Sequence, residues 1–492
     1  MAARLRQIER FRSRPAEVQE EQLRYLMKRA ADTDFGRQHG FAAIGSICEY
    51  QSRVPVMDYD EFYPYIDRAR FGEKNVTWPG ETKWFAKSSG TTGAKSKYIP
   101  VTQNGLWQSH MKGPQDCIAF NVTRYPDTRV YGGKTLTLGG SHKIEREGEH
   151  ALTGDLSAIL IHNTPRFANL KRLPKTSTAL LSDFEEKVER ICRECVGKDV
   201  RSLAGVPSWN LVMLKKVLDY TGKNNLLEVW PDLELFIHGG VNFNPYRQIY
   251  HELIPTPGMH YLETYNASEG FFGISDDFSD DMLLMLDYGM FYEFLPLADL
   301  GDPSKAVPLE GVKTGVNYAM IISSSNGLWR YLIGDTVEFT STEPYRVHIS
   351  GRTKHYINAF GEEVIVDNAE RAIRAACNAT GAEVTEYTAA PIYMNRDSKG
   401  AHQWVIEFSR EPDDLKAFVH ALDTALQNVN SDYEAKRYKN TTLYQPVVTS
   451  VPEGTFMRWM QARGKTGGQN KVPRLSNDRT YVDSILELIN TK

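Results

Sequence analysis

The chain is poor in cysteine, with five (Cys48, Cys117, Cys192, Cys195, Cys377) in 492 residues. That is too few for a disulfide framework in a chain of this size and points to a reducing, cytoplasmic setting. Long apolar runs are missing too. The most apolar stretch, Leu283 to Leu297, carries Asp287 and Glu293 and is too short to span a bilayer. The segment from Met1 to Pro15 breaks up its apolar residues with charge, so it has no continuous apolar region of a secretory signal and reads as a surface helix. Nor is charge of one sign concentrated: 58 Lys and Arg stand against 62 Asp and Glu, a net of −4, with no long run of either. Nucleic acid and membrane are therefore not expected partners, which leaves small molecules. Cys192 and Cys195 form a CxxC, but no second pair exists for a zinc site, and Val188, Ile191 and Val196 around them read as a packed helix.

What is present is an ordinary globular composition, 41% hydrophobic and 11% aromatic, in a chain long enough for more than one domain. Residues 16 to 31 place Val18, Leu23, Leu26, Met27 and Ala30 at helical spacing, and a glycine-containing turn, Asp34-Phe35-Gly36, follows. From about 85 to 350, strand-like runs (Thr135 to Leu138, Leu233 to Ile237, Ala319 to Ser323, Trp329 to Phe339) mix with helical ones (Leu180 to Cys192, Trp209 to Tyr220). Such a mixture is α/β. Beyond Gly351 the spacing predicts a helix over 367–378, strands near 383–394 and 402–409, a helix over 413–428 and a strand near 442–449. That is a small α+β domain. The expected organisation is a large domain over 1–350 and a smaller one over 351–492, divided near Ser350 to Lys354.

The segment Lys87-Ser88-Ser89-Gly90-Thr91-Thr92-Gly93-Ala94-Lys95-Ser96-Lys97 follows the strand-like Trp84-Phe85-Ala86. Glycines let backbone N–H groups turn onto an anion, hydroxyls add donors and lysines add countercharge, a composition that suits a triphosphate. It is not a Walker loop, because Ala94 rather than Gly precedes Lys95. Downstream, Tyr265-Asn266-Ala267-Ser268-Glu269-Gly270 sets one carboxylate among small residues, where Glu269 could hold Mg²⁺. In Tyr331-Leu332-Ile333-Gly334-Asp335 the acid follows a glycine in an alternating strand pattern, a place where a carboxylate can accept both hydroxyls of a ribose. Arg463 to Arg474 is a second glycine-rich cationic loop. Each segment alone has a bland reading as a polar turn or solvated surface; together they point to nucleotide chemistry. His238 and His355 read as ordinary hydrogen-bonded histidines, and Trp209, Tyr261 and Phe271 as core aromatics.

Taken together, Trp84 to Thr92, Tyr98-Ile99-Pro100, Ile237-His238-Gly239-Gly240, Tyr265 to Gly270, Gly351-Arg352-Thr353-Lys354 and Gln469 to Arg474 resemble the adenylate-forming superfamily. Within it they are most similar to the Gretchen Hagen family of auxin-conjugating acyl acid amido synthetases. The likeness runs from about Thr33 to Arg474, in the family's order. It implies a large adenylate-forming α/β domain followed by a mobile lid, with ATP and Mg²⁺ as cofactors. By the same resemblance Ser88, Ser89, Gly90, Thr91, Thr92 and Lys95 hold the ATP phosphates, Glu269 the Mg²⁺, and Asp335 with Arg352 the ribose. Gly239, Gly240 and Val241 line the adenine and acyl region, Tyr265 is a further nucleotide contact, and Thr353-Lys354 is the hinge. Lys471 is the catalytic lysine that approaches the activated carboxylate, with Lys465 the second candidate. The plant members carry glycine where this chain has Ala94. The implied reaction activates a carboxylic acid as acyl-AMP and passes the acyl group to an amine, an amino acid by analogy. A thioester ligase with a thiol acceptor and a non-catalytic nucleotide-binding protein are the alternatives.

Overall fold

The computed structural model describes residues 1–89, 96–138, 144–181, 184–279, 281–353, 356–395, 398–440, 442–463 and 472–490. Helix Pro15–Ala30 forms where the periodicity predicts it, opened by Pro15, with Glu17 in its first turn and Lys28 and Arg29 in its last. It buries Val18, Leu23, Leu26, Met27 and Ala30. The buried Gln19 fastens it to the sheet: Nε2 donates to Leu286 O (2.9 Å) and Met290 O (3.1 Å), and Oε1 accepts from Tyr292 N (2.9 Å). The expected turn after it is a short helix, Asp34–Gln38, because Thr33 caps it by accepting from Gly36 N at 3.0 Å. The N-terminal helix Ala2–Ser13 lies on the surface but buries Ile8 and Phe11 and pairs Arg4 with Asp116 and Asp287.

Among the described residues the main sheet has twelve strands. One half is antiparallel and takes up the apolar stretch 283–297 in two buried strands, Met282–Leu284 and Met290–Pro296, and the turn between them. The other half is parallel, running His260–Ala267, Leu235–Gly239, Val200–Gly205, Lys134–Thr137, Arg172–Leu173. Helices Pro207–Thr221 and Asn244–Leu253 start just past the carboxyl ends of two of these strands. A four-stranded sheet of 96–101, 84–89, 151–154 and 145–147 stands beside it. No described helix is long and apolar enough to cross a membrane.

Four of the later elements fall where expected, helix Val366–Thr380, strands Glu383–Ile392 and Ala401–Arg410 and helix Leu415–Val429, while the strand expected near 442–449 lies further on, at Val447–Val451. Their strands form a three-stranded sheet, the first pair antiparallel and the second parallel. Apolar side chains of helices Val366–Thr380 and Leu415–Val429 join those of 136–259 in one continuous core. Cys192 and Cys195 are packed in that core.

Candidate active site

A cavity of about 1160 Å³ opens at the carboxyl ends of the parallel strands, the usual place for a ligand in an α/β sheet. It gathers residues that lie far apart in sequence: Ser88 and Lys97, Gly239 and Gly240, Tyr265, Glu269, Asp335 and Arg352. The strand Leu235–Gly239 ends on glycines for steric reasons. A Cβ on Gly239 would fall 2.3 Å from Thr264 O, and Gly240 has φ of 85°. The backbone of 239–241 is therefore presented bare to the cavity.

The segment around Asp335 is not a polar turn. The strand Tyr331–Thr342 continues through it, and Gly334, at φ 90°, kinks the chain while its carbonyl accepts from Thr353 N at 2.9 Å. Asp335 is thereby turned to the cavity and gripped from both sides. Tyr265 Oη donates to Oδ2 and Arg352 Nε to Oδ1, both at 2.7 Å. Arg352 Nη1 also donates to Glu363 Oε2 at 3.2 Å, and Glu363 holds a left-handed φ of 41°. Burial alone would lower the Arg352 proton affinity, but the carboxylates of Glu363 and Asp335 more than offset it and leave it well above the ordinary value. The Tyr265 hydroxyl is pushed up by burial and by Asp335.

Glu269 occupies the two-residue turn between strands His260–Ala267 and Gly270–Ile274, whose registers close at Ala267 and Gly270. It is 9% exposed, and burial pushes its carboxyl up to about 7, against the pull of Lys97 and Arg352 and with the help of Asp335. A carboxylate so placed gains from a cation. Mg²⁺ needs only one or two protein carboxylates when phosphate and water complete its shell. Among the described residues no three His, Cys, Asp or Glu gather to hold an ion. Glu269 thus fits a Mg²⁺ delivered with a nucleotide.

Ser89 ends the strand that begins at Trp84. Gly90, Thr91, Thr92 and Lys95, and likewise Lys354, His355, Lys465 and Lys471, lie outside the described residues. His238 does line the cavity, contrary to its bland reading: stacked on Phe243 at 4.1 Å, it has no partner for Nδ1 among the described residues, and burial holds its proton affinity down to about 3. Trp209 and Phe271 line the cavity as well, whereas Tyr261 packs among Phe236, Phe243 and Tyr250 as core. Pro114, Cys117, Leu156, Leu160 and Met282 complete an apolar wall that sequence reasoning missed, since each belongs to an ordinary amphipathic pattern. Asn358, also missed, bridges the two parts of the chain by donating Nδ2 to Gly240 O at 3.1 Å and N to Asn477 Oδ1 at 2.6 Å.

This fold is that of an adenylate-forming ligase. The solved structure of GH3.15 acyl acid amido synthetase matches with a TM-score of 0.62 over 99% of this chain and 95% of that one, at 17% identity. A 2-hydroxyisobutyryl-CoA ligase in complex with 2-HIB-AMP and CoA matches with a TM-score of 0.55 over 98% and 93%, at 15% identity. Models of the GH3 family N-terminal, central and C-terminal domains match residues 4–259, 283–352 and 367–480. The chain therefore belongs to the GH3 family, the acyl acid amido synthetases, which are carbon–nitrogen ligases of the adenylate-forming type. Curated relatives include the putative indole-3-acetic acid-amido synthetase GH3.9 of Arabidopsis thaliana, 22% identical over 97% of this chain and 94% of that protein. The 4-substituted benzoates-glutamate ligase GH3.12 of Arabidopsis thaliana is 21% identical over 86% and 87%.

Proposed function

We propose that the chain joins a carboxylic acid to an amino acid at the expense of ATP, and that both half-reactions take place in this one cavity. The observation that carries the reading is the convergence of Asp335, Arg352, Tyr265, Glu269, Ser88 and the bare 239–241 backbone on one space. In the first half-reaction a carboxylate oxygen attacks the α-phosphorus of ATP, the bond to the β-phosphate bridge breaks, and pyrophosphate leaves. In the second, the amine nitrogen attacks the acyl carbon, AMP departs and the nitrogen loses a proton.

Asp335 accepts from the ribose hydroxyls, and Arg352 and Tyr265 hold it in place. The 239–241 backbone flanks the adenine. Ser88, Ser89, Gly90, Thr91, Thr92 and Lys95 cradle the phosphates, whose charge must be neutralised as the nucleophile approaches. Glu269 holds the Mg²⁺, which when bound screens the phosphate oxygens. The apolar wall of Pro114, Leu160, Phe271 and Met282 receives the acyl body. Lys471, with Lys465 as second candidate, is the catalytic lysine of the first half-reaction. The 351–492 part pivots near Arg352 to Lys354 to exchange one half-reaction for the other. A reducing cytoplasm is the setting that five free cysteines, three of them buried, support.

The test is acid-dependent pyrophosphate release from ATP and Mg²⁺ over a panel of carboxylic acids, with and without amino acids, products followed by mass spectrometry. Release together with a new amide mass is expected, and Lys471→Ala lowers it by orders of magnitude. Release that gives a thioester when CoA is supplied, and never an amide, would overturn the amine acceptor. No release with any acid would overturn the adenylation step.

A further inference from the structure

Several charged residues that line the cavity have no part in the nucleotide reading, and Lys436 is the one that no described carboxylate pairs. Lys436 lies on the short helix Ser431–Arg437, is 7% exposed and lines the cavity. The fold fixes its backbone firmly. Asn430 caps the helix by accepting from Tyr433 N at 2.8 Å, and its Nδ2 donates to Glu363 O at 3.0 Å and Asn368 Oδ1 at 3.1 Å. The neighbouring Arg437 forks onto Asp423 at 2.7 and 2.6 Å, and the Lys436 carbonyl accepts from Thr442 N and Leu443 N.

The side chain is therefore aimed. Its Nζ stands 4.6 Å from the ring centroid of Trp209, on the wall where the two parts of the chain meet. The tail passes close by Gly361, where an added Cβ would lie 3.3 Å from Cε and 3.5 Å from Nζ. Among the described residues no carboxylate forms an ion pair with it; Asp432, Asp155, Glu362 and Glu363 act on it only through space. Burial lowers its proton affinity, and those four carboxylates offset part of that. An ammonium buried without a contacting counter-ion is costly, and an aromatic face recovers only part of the loss. A ligand with an anionic group would complete the arrangement.

The cavity is larger than the roughly 300–1,000 Å³ typical of a single small ligand, so it has room for a second reactant beside an acyl-adenylate. The apolar wall has no charge to meet an anion, and the other cations that line the cavity are engaged: Arg352 by Asp335 and Glu363, Lys87 by Glu145 at 2.6 Å, Arg479 by Asp483 at 2.7 Å, while Lys97 acts on Glu269. We propose that Lys436 binds the carboxylate of the acceptor, so that the acceptor is an amino acid held by its acid end with its amine left to attack the acyl carbon. This rests on the amide-forming reading above and adds the residue that selects the acceptor.

The test compares each standard amino acid that yields an amide with its α-carboxamide, in wild type, Lys436→Met and Lys436→Arg. The wild type is expected to prefer the free acid by about 10- to 100-fold in kcat/KM, the size of one charge-assisted hydrogen bond. In Lys436→Met that preference vanishes through a raised KM for the amino acid, and Lys436→Arg restores part of it. Acid-dependent exchange of pyrophosphate into ATP falls far less than amide synthesis. The proposal is overturned if the methionine variant keeps the wild-type preference, or if exchange falls in step with amide synthesis, which would place Lys436 on the nucleotide. A wild type indifferent to the carboxamide would overturn it without any variant. Exchange with no amide from any amine would instead bring down the amide-forming reading, and this proposal with it.

Discussion

Replacing Asp335 by asparagine keeps the shape of the side chain and removes its charge. Tyr265 retains an oxygen to donate to, while the new amide Nδ2 faces Arg352 Nε where an acceptor stood and leaves Glu363, at 3.2 Å, as the carboxylate that holds the guanidinium. What is lost is the anionic acceptor for the ribose. A hydrogen bond to a charged group contributes about 1.5–3 kcal/mol, which is roughly a 10- to 100-fold rise in KM for ATP. The assay is acid-dependent pyrophosphate exchange against ATP concentration, repeated with 2′,3′-dideoxy-ATP. Wild type should lose that factor on the dideoxy nucleotide, whereas Asp335→Asn should lose little more, because the variant has already given up the contact the hydroxyls supply. If the variant discriminates between the two nucleotides as strongly as wild type does, Asp335 does not hold the ribose. Its role would then be confined to fixing Arg352 and Tyr265.

Gly239→Ala should cost about 1–3 kcal/mol and raise KM for ATP as well, because the new methyl meets the Thr264 carbonyl; Gly301→Ala, with nothing near its added Cβ, is the matched control in thermal melts. Glu293→Ala should destabilise by about 3–5 kcal/mol, read as a lower denaturant midpoint, because it strands the buried Arg330, which donates to both Glu293 oxygens at 3.0 and 2.9 Å. His110 is fully buried, and burial holds it down to about 4 against an ordinary value near 6.5. It folds neutral, so its stability contribution is complete above pH 6.5 and is lost as pH falls toward 4, by about 3 kcal/mol in all. His110→Gln should flatten that part of the stability profile between pH 6.5 and 4; an unchanged slope would show that another group is responsible.

The sequence by itself determined the element types and their order, because hydrophobic periodicity is local. The helix Pro15–Ala30, the alternating strand through Asp335 and the elements of 366–429 all fall close to where spacing put them. It also determined the family, since glycine-rich and acidic motifs survive as short strings. Other features were decided only by tertiary structure. Asp34 to Gln38 is helical because Thr33 finds a donor in Gly36, and a capping bond of this kind changes a turn into a helix without changing its composition. Lys436 sits in Tyr433-Glu434-Ala435-Lys436-Arg437, a charged string in which nothing marks it as buried, yet in the folded chain it is 7% exposed and lines the cavity. Trp209 and Phe271 reach the cavity, whereas Tyr261, of the same residue class, stays in the core. Local pattern fixes which face of an element is apolar. Whether that face meets the core or the substrate depends on partners tens or hundreds of residues away, and only the folded chain brings those partners together.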